Sequence, residues 1–129
     1  MVSFSGDAGP YVQYAYARCR SIFRKGDVDP DSVRVEDAIA VDHPTEKMLV
    51  RQLLRFDDVV HRASETSQPH LICEHAYDLA RAFSSFYTEC PVLDADGATR
   101  NHRLALTDLV ARQIRRSLGL VGIEVVEKM

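Results

Sequence analysis

The feature that most constrains this chain is a helical period of apolar residues that recurs in four separate segments. Each segment opens at a proline or at a residue able to cap a helix, and a helical wheel gives each one a single apolar face. The segments run from about Pro10 to Lys25, from near Pro44 and Glu46 to Arg62, from near Pro69 to the residue before Pro91, and from after Asn101 to about Leu120. The pattern predicts an all-α fold, an antiparallel helical bundle of about four main helices with one long connection after the first.

The apolar faces also predict which side chains form the core. In chain order the expected core residues are Val12, Ala15, Cys19, Ile22, Met48, Leu49, Leu53, Phe56, Val59, Val60, Leu71, Ile72, Leu79, Ala82, Phe83, Phe86, Leu104, Val110, Ile114, Leu118 and Val121. His75 falls on the apolar face of the third segment, where a hydrogen-bonded packing role is expected rather than ligation or catalysis. Residues 33–41 (VRVEDAIAV) could pair briefly as a strand, but no partner strand is evident.

Length and cysteine content exclude several classes of protein. With 129 residues the chain is long enough for one domain with its own core. No apolar run approaches the roughly 18 residues of a membrane span, and the N-terminus lacks a signal-peptide pattern, so a cytoplasmic protein is expected. The three cysteines, Cys19, Cys73 and Cys90, form no C-x-x-C pair, which favours reduced structural thiols over a disulfide framework or a zinc site.

Charge is distributed unevenly along the chain. The formal net charge is −3, but residues 1–26 and 100–129 each carry a net charge of +3, whereas residues 27–99 carry −9. If the first and last helices pack side by side, they could present one basic surface to a phosphate backbone. The alternative, which charge alone favours, is that these arginines are simply solvated.

Tyrosines and arginines crowd the first helical segment, GPYVQYAYARCRS. Tyr11, Tyr14 and Arg18 stand at i, i+3 and i+7 beside the apolar stripe, and Lys25 continues that face. Flat rings beside cationic groups form a surface on which unpaired bases can stack while phosphates are neutralised. The residue pattern is equally typical of tyrosines that rim a core with their hydroxyls in water.

Four stretches together resemble a known family. They are SFSGDAGPYVQYAYARCRSI, HPTEKMLVRQLLRFDDVV, PHLICEHAYDLARAFSSFYTECPVL and RLALTDLVARQIRRSLGLVGIEVVEKM. In this order they are similar to the C-terminal anticodon-binding domain of arginyl-tRNA synthetases, a helical domain called DALR after its motif residues. The resemblance covers nearly the whole chain, residues 1–129, and implies a single DALR domain without the catalytic body of such an enzyme.

The resemblance implies which residues face the anticodon loop of an arginine-specific tRNA. Tyr11, Tyr14, Arg18, Tyr87 and Met129 fall on the matching contact positions. For Tyr87 the alternative is core packing, and for Met129 it is a frayed terminus. Charge alone adds four candidate phosphate contacts, with a solvated face as the alternative, namely Lys25, Arg112, Arg115 and Arg116.

Motifs for catalysis are missing from the sequence. The family's chemistry, ATP-dependent activation of arginine and its transfer to tRNA, depends on H-I-G-H and K-M-S-K-S motifs, and neither occurs here, nor does a P-loop. The resemblance therefore implies that ATP and Mg²⁺ belong to the absent catalytic body, and no catalytic residue or metal ligand is expected in this chain. The expected partners are tRNA and that catalytic body, with the domain itself a monomer.

Two alternatives compete with the arginine-specific interpretation. A free-standing helical module derived from such a domain could use the same surface for a protein or for a different RNA. A cysteinyl- or glycyl-type DALR domain is disfavoured because GPYVQYA and the terminal methionine are arginyl features.

Overall fold

A computed structural model describes residues 8–33, 41–95 and 97–129. In these ranges the helices are α1 (Ala8–Lys25), α2 (Pro44–Leu54), α3 (Phe56–Thr66), α4 (His70–Glu89) and α5 (Gly97–Leu120), with a short 3₁₀ turn at Pro30–Ser32. The described ranges contain no strand, and the predicted all-α fold is confirmed. The strand considered for residues 33–41 lies almost entirely outside them.

Local chemistry sets several of the helix ends. At the start of α2, Pro44 occupies the first turn and His43 Nδ1 accepts a hydrogen bond from the Thr45 amide at 3.2 Å. At the end of α1, Gly26 has no positive φ, and a Cβ there would lie 2.6 Å from Leu93 Cδ2, so the end of the Leu93 side chain would have to shift. The left-handed residue that follows is Asp27, with a φ of 52°.

The segment predicted as one second helix is two helices, α2 and α3, which meet at Arg55. At the break the Arg55 amide bonds to the Gln52 carbonyl at 3.2 Å. The side-chain amide of Gln113 donates to the Leu53 carbonyl at 3.0 Å, and its Oε1 lies 2.8 Å from His75 Nε2. A side chain from α5 thus enters the backbone ladder of the second segment, which is a recognised cause of a helix break. The predicted hydrogen-bonded role of His75 is confirmed.

Helix α4 lies at the centre of the bundle and contacts each of the other four α-helices described. Helix α1 packs against both α4 and α5. The first and last helices are therefore neighbours, which is the arrangement that a shared basic surface would need. The main core contains most of the expected apolar residues, together with Tyr16 of α1, which is fully buried. None of the described helices combines the length and the apolar character required to span a bilayer.

One expected core residue, Met48, is exposed on α2. The buried face of this helix is set by Leu49 and by Glu46, whose carboxylate bonds to the His102 ring of α5. Because Met48 lies about 200° around the wheel from Glu46, it points away from α5. Leu49 and the hydrogen-bonded Glu46, rather than Met48, therefore lie on the buried face of α2.

Candidate nucleic-acid interface

An open groove of about 860 Å³ runs between α1, the end of α4 and residues 91–94. Tyr14, Arg18 and Lys25 line it from α1, Tyr87 lines it from α4, and Met129 closes one side. The three α1 residues stand at i, i+4 and i+11, which places them within about 40° of one another on the helix surface. The fold thus brings together residues separated by more than a hundred positions in the sequence.

The aromatic and thioether side chains of the groove are accessible to a ligand. The exposed fractions are 58% for Tyr14, 39% for Tyr87 and 61% for Met129. The Tyr87 ring rests against Phe83 of the core with 6.1 Å between ring centroids, while its other face carries the Arg18 guanidinium 5.0 Å from the centroid. Tyr87 therefore serves both as a core edge and as a platform beneath a cation.

The groove carries a positive charge. Arg18, Arg24 and Lys25 line it, and among the described lining residues Asp94 is the one acidic side chain. A concave surface with three cations and two exposed rings meets the two requirements of single-stranded nucleic acid, which are neutralised phosphates and flat partners for bases.

Tyr11 is placed away from the groove. It lies half-buried between α1 and α4, where its hydroxyl donates to Ser84 Oγ at 3.0 Å and its ring packs 5.3 Å from that of Tyr77. Three residues along a helix correspond to about 300°, so Tyr11 is displaced by about 60° from Tyr14 toward α4. The face predicted to hold Tyr11, Tyr14 and Arg18 together is thus divided by the packing of α4.

The arginines near the end of α5 form a separate site. Arg112, Arg115 and Arg116 line a second cavity of about 900 Å³ together with Arg20 and Glu127. Arg112 donates to Asp108 Oδ2 at 2.7 Å and to Asp31 Oδ1 at 3.1 Å. The hydrogen bond to Asp108 raises the pKa of Arg112. The charge of Arg112 is therefore matched within the chain, and the basic ends form two surfaces rather than one.

Residues 121–129, called here the tail segment, contribute one residue to each of these two cavities. Glu127 lies at the second cavity and Met129 at the groove. The tail segment is attached to α1 by four hydrogen bonds, made by the side chains of Gln13, Tyr16 and Arg24. Met129 is consequently held beside α1 by neighbouring contacts.

The sequence comparison decides the family. The family model described as the DALR anticodon binding domain matches residues 12–129. The chain belongs to this family.

Arginine–tRNA ligases are among the curated proteins similar to this DALR domain. That of Haemophilus ducreyi is 41% identical over 129 residues, covering 100% of this chain and 23% of the relative. That of Frankia casuarinae is 46% identical over 130 residues, covering 100% of this chain and 21% of the relative. The chain thus spans about a fifth of the length of the curated relatives it matches.

Solved arginyl-tRNA synthetases share the fold of this DALR domain. The Thermus thermophilus enzyme superposes with a TM-score of 0.79 at 36% identity, covering 98% of this chain and 22% of that one. The Plasmodium falciparum enzyme gives a TM-score of 0.83 at 27% identity, covering 97% and 22%. The resemblance that the motifs predicted is confirmed.

Three side chains that bind the tail segment of this DALR domain were not singled out by the sequence analysis. Tyr16 stands four residues after Val12 and three before Cys19, so helical spacing could have identified it as part of the buried stripe. Gln13 and Arg24 carry no such signal, because their partners lie more than a hundred residues away in the sequence.

The cysteine thiols of this DALR domain lie in its interior. Cys19, Cys73 and Cys90 are all free and buried. Burial raises the pKa of the Cys19 and Cys73 thiols, which keeps them protonated and unreactive. Within residues 8–33, 41–95 and 97–129, no three His, Cys, Asp or Glu side chains cluster in a way that could hold a metal ion.

Proposed function

We propose that this chain binds the anticodon loop of an arginine-specific tRNA in the groove. The observation that carries the proposal is the meeting of Tyr14, Arg18, Tyr87 and Met129, together with Lys25, around one open cavity. These are four of the five contact positions that the family resemblance implied, and no local pattern required the α1 residues to meet Tyr87 and Met129.

The side chains suit the unpaired bases of a loop. Tyr14 and Tyr87 offer exposed rings for stacking, and the polarizable thioether of Met129 can lie against a base edge. Arg18 already covers one face of Tyr87, so a bound base must either displace the guanidinium or stack on its outer plane. In both cases Arg18 is placed to neutralise a neighbouring phosphate.

Two groups of basic residues are the proposed phosphate contacts, one in the groove and one on α5. Arg18, Arg24 and Lys25 are the groove cations, and in the proposal Lys25 contacts the loop backbone. Arg115 and Arg116, exposed at the second cavity, contact the stem. Arg112 contributes less because Asp108 and Asp31 already bind it. Tyr11 supports the packing of α1 on α4 rather than touching a base.

The activity of a whole synthetase requires more than this domain. Because the chain spans about a fifth of its curated relatives, we propose that it acts in the cytoplasm as one monomeric domain of a longer arginine–tRNA ligase. The catalytic body of that enzyme would bind ATP and Mg²⁺ and perform the aminoacylation. This domain would supply recognition of the tRNA and no catalytic group.

The test compares two arginines that resemble each other except in position. Arg18 lies over Tyr87 in the groove, and Arg81 lies over Tyr77 with its guanidinium 5.9 Å from the centroid, outside the groove. Replacing either by alanine removes one positive charge and one cation–π contact. A labelled arginine-tRNA anticodon stem-loop is titrated against the wild type, Arg18→Ala and Arg81→Ala at several salt concentrations, with a scrambled loop as the RNA control.

We expect tighter binding of the native loop than of the scrambled loop, and weaker binding of both loops in Arg18→Ala alone, because a phosphate contact carries no sequence information. Log affinity falls as log salt rises, and the magnitude of this slope should decrease by about 0.7 in Arg18→Ala, the value for one phosphate contact to a single strand. The slope should stay unchanged in Arg81→Ala. Equal effects of the two substitutions would contradict the groove assignment. Equal binding of both loops, or binding of a protein partner instead, would favour a free-standing interaction module.

A further inference from the structure

One glutamine holds the backbone of the tail segment at two points. Gln13 Nε2 donates to the Glu124 carbonyl at 2.8 Å, and Gln13 Oε1 accepts from the Val126 amide at 3.0 Å. A carboxamide thus pairs with a carbonyl and an N–H two residues apart, as a neighbouring strand would. Because both bonds go to the main chain, they are independent of the side chains at positions 124 and 126.

The next residue of the tail segment is held by its side chain and its carbonyl. The Tyr16 hydroxyl donates to Glu127 Oε1 at 2.9 Å, and Arg24 Nη1 donates to the Glu127 carbonyl at 3.3 Å. On the side facing the bundle, Ile123 and Val125 pack against the main core. The tail segment is therefore fixed on α1 without any regular secondary structure of its own.

These contacts limit where Met129 can lie. Two residues of extended chain span at most about 7 Å, so fixing Glu127 confines Met129 to a small region. That region is part of the groove, which is also lined by Tyr14, the residue directly after Gln13 on α1. The same turn of α1 thus presents a groove ring and anchors the segment that delivers Met129.

We propose that Gln13 is a positioning residue, which fixes the tail segment on α1 and thereby places Met129 in the groove. The structural part of this inference stands on the two backbone bonds. Its effect on RNA affinity rests on the proposed function. Gln13 itself does not line the groove, so any effect on RNA binding is transmitted through Met129.

The structural part is tested by amide hydrogen exchange at Val126 in the wild type, Gln13→Ala and Gln52→Ala. Gln52 is a matched control, because it is also a helical glutamine and, within the described part of the chain, its side chain bonds to Arg55 alone, at 3.4 Å. We expect exchange at Val126 to become about tenfold faster in Gln13→Ala and to stay unchanged in Gln52→Ala. The NMR order parameter of the Met129 methyl group should fall in Gln13→Ala alone. Equal exchange at Val126 in all three proteins would overturn the inference.

The effect of Gln13 on RNA affinity is tested by a double-mutant cycle that combines Gln13→Ala with deletion of Met129. If Gln13 acts through Met129, each single change lowers affinity for the stem-loop by the same factor, and the double variant loses no more. Additive losses would overturn the positioning role, as would an unchanged affinity in Gln13→Ala. If the wild type binds no RNA, the proposed function fails, while the exchange rate and the methyl order parameter still decide whether Gln13 positions the tail segment.

Discussion

Replacing Asp108 by alanine removes one carboxylate that serves two arginines in different environments. Asp108 Oδ1 accepts from Arg20 Nη1 at 3.0 Å, and Oδ2 accepts from Arg112 Nε at 2.7 Å. The side chains of Asp108 and Arg20 are only 12% and 15% exposed, whereas that of Arg112 is 57% exposed. The first pair joins α1 to α5, and the second lies within α5.

The expected loss of stability follows from the position of Arg20. Burial acts to lower the pKa of Arg20, but its hydrogen bonds to Tyr16 and Asp108 outweigh burial and raise it. Without Asp108, the one hydrogen-bond partner left to the guanidinium among the described residues is the Tyr16 hydroxyl, at 3.4 Å. Removing one partner of a buried ion pair lowers the free energy of unfolding by about 3–5 kcal/mol. Because Asp108 and Arg20 keep some exposure, we expect a loss at the lower end, about 3 kcal/mol.

Urea unfolding followed by helical circular dichroism measures this loss. With a denaturant dependence of about 2 kcal/mol per molar urea, a loss of about 3 kcal/mol lowers the midpoint of Asp108→Ala by about 1.5 M. The matched variant Arg112→Ala removes the other arginine from the same carboxylate. Because exposed ion pairs contribute little net stability, its midpoint should move far less. Equal shifts in the two variants, or a shift below about 0.5 M in Asp108→Ala, would refute the reasoning.

Two further predictions concern pH and stacking. Burial lowers the pKa of His75, so as pH falls below about 6.5 the unfolded chain takes up a proton that the folded ring resists, and stability should fall. His75→Gln should remove this part of the pH dependence in unfolding measured from pH 7 to pH 5; an unchanged slope would contradict it. Tyr87→Ala should weaken stem-loop binding roughly tenfold and Tyr87→Phe should not, because stacking contributes about 1–3 kcal/mol per base and needs only the ring. Equal binding by both variants would argue against stacking on Tyr87.

The helices could be predicted from the sequence wherever local rules decide them. Apolar periodicity, first-turn prolines and capping residues act within a few positions, and they give the all-α class and most of the core, including His75 as a bonded packing residue. The break at Arg55 was not predictable in this way. It involves Gln113, which is 60 positions from Leu53, and no window of local sequence contains both.

The candidate site divides along the same line. Spacing alone put Tyr14, Arg18 and Lys25 on one face of α1, because a helix fixes those angles. Spacing also put Tyr11 there, and only the packing of α4 shows that its hydroxyl is taken by Ser84 instead. Met129 was predicted as a site residue through the family resemblance, with a frayed terminus as the alternative. The tail segment that carries Met129 is attached to α1 by long-range hydrogen bonds, which the spacing of residues along a helix cannot predict.

The sequence by itself determined the helical class, the apolar faces and the family. These follow from residues close together in the chain or from motifs that are contiguous stretches of it. Tertiary structure decided which cations share a cavity. It left Arg18, Arg24 and Lys25 in the groove and matched Arg112 with acidic partners. The physical reason is that charge matching and groove shape depend on distances between elements, and those distances exist only after the helices pack.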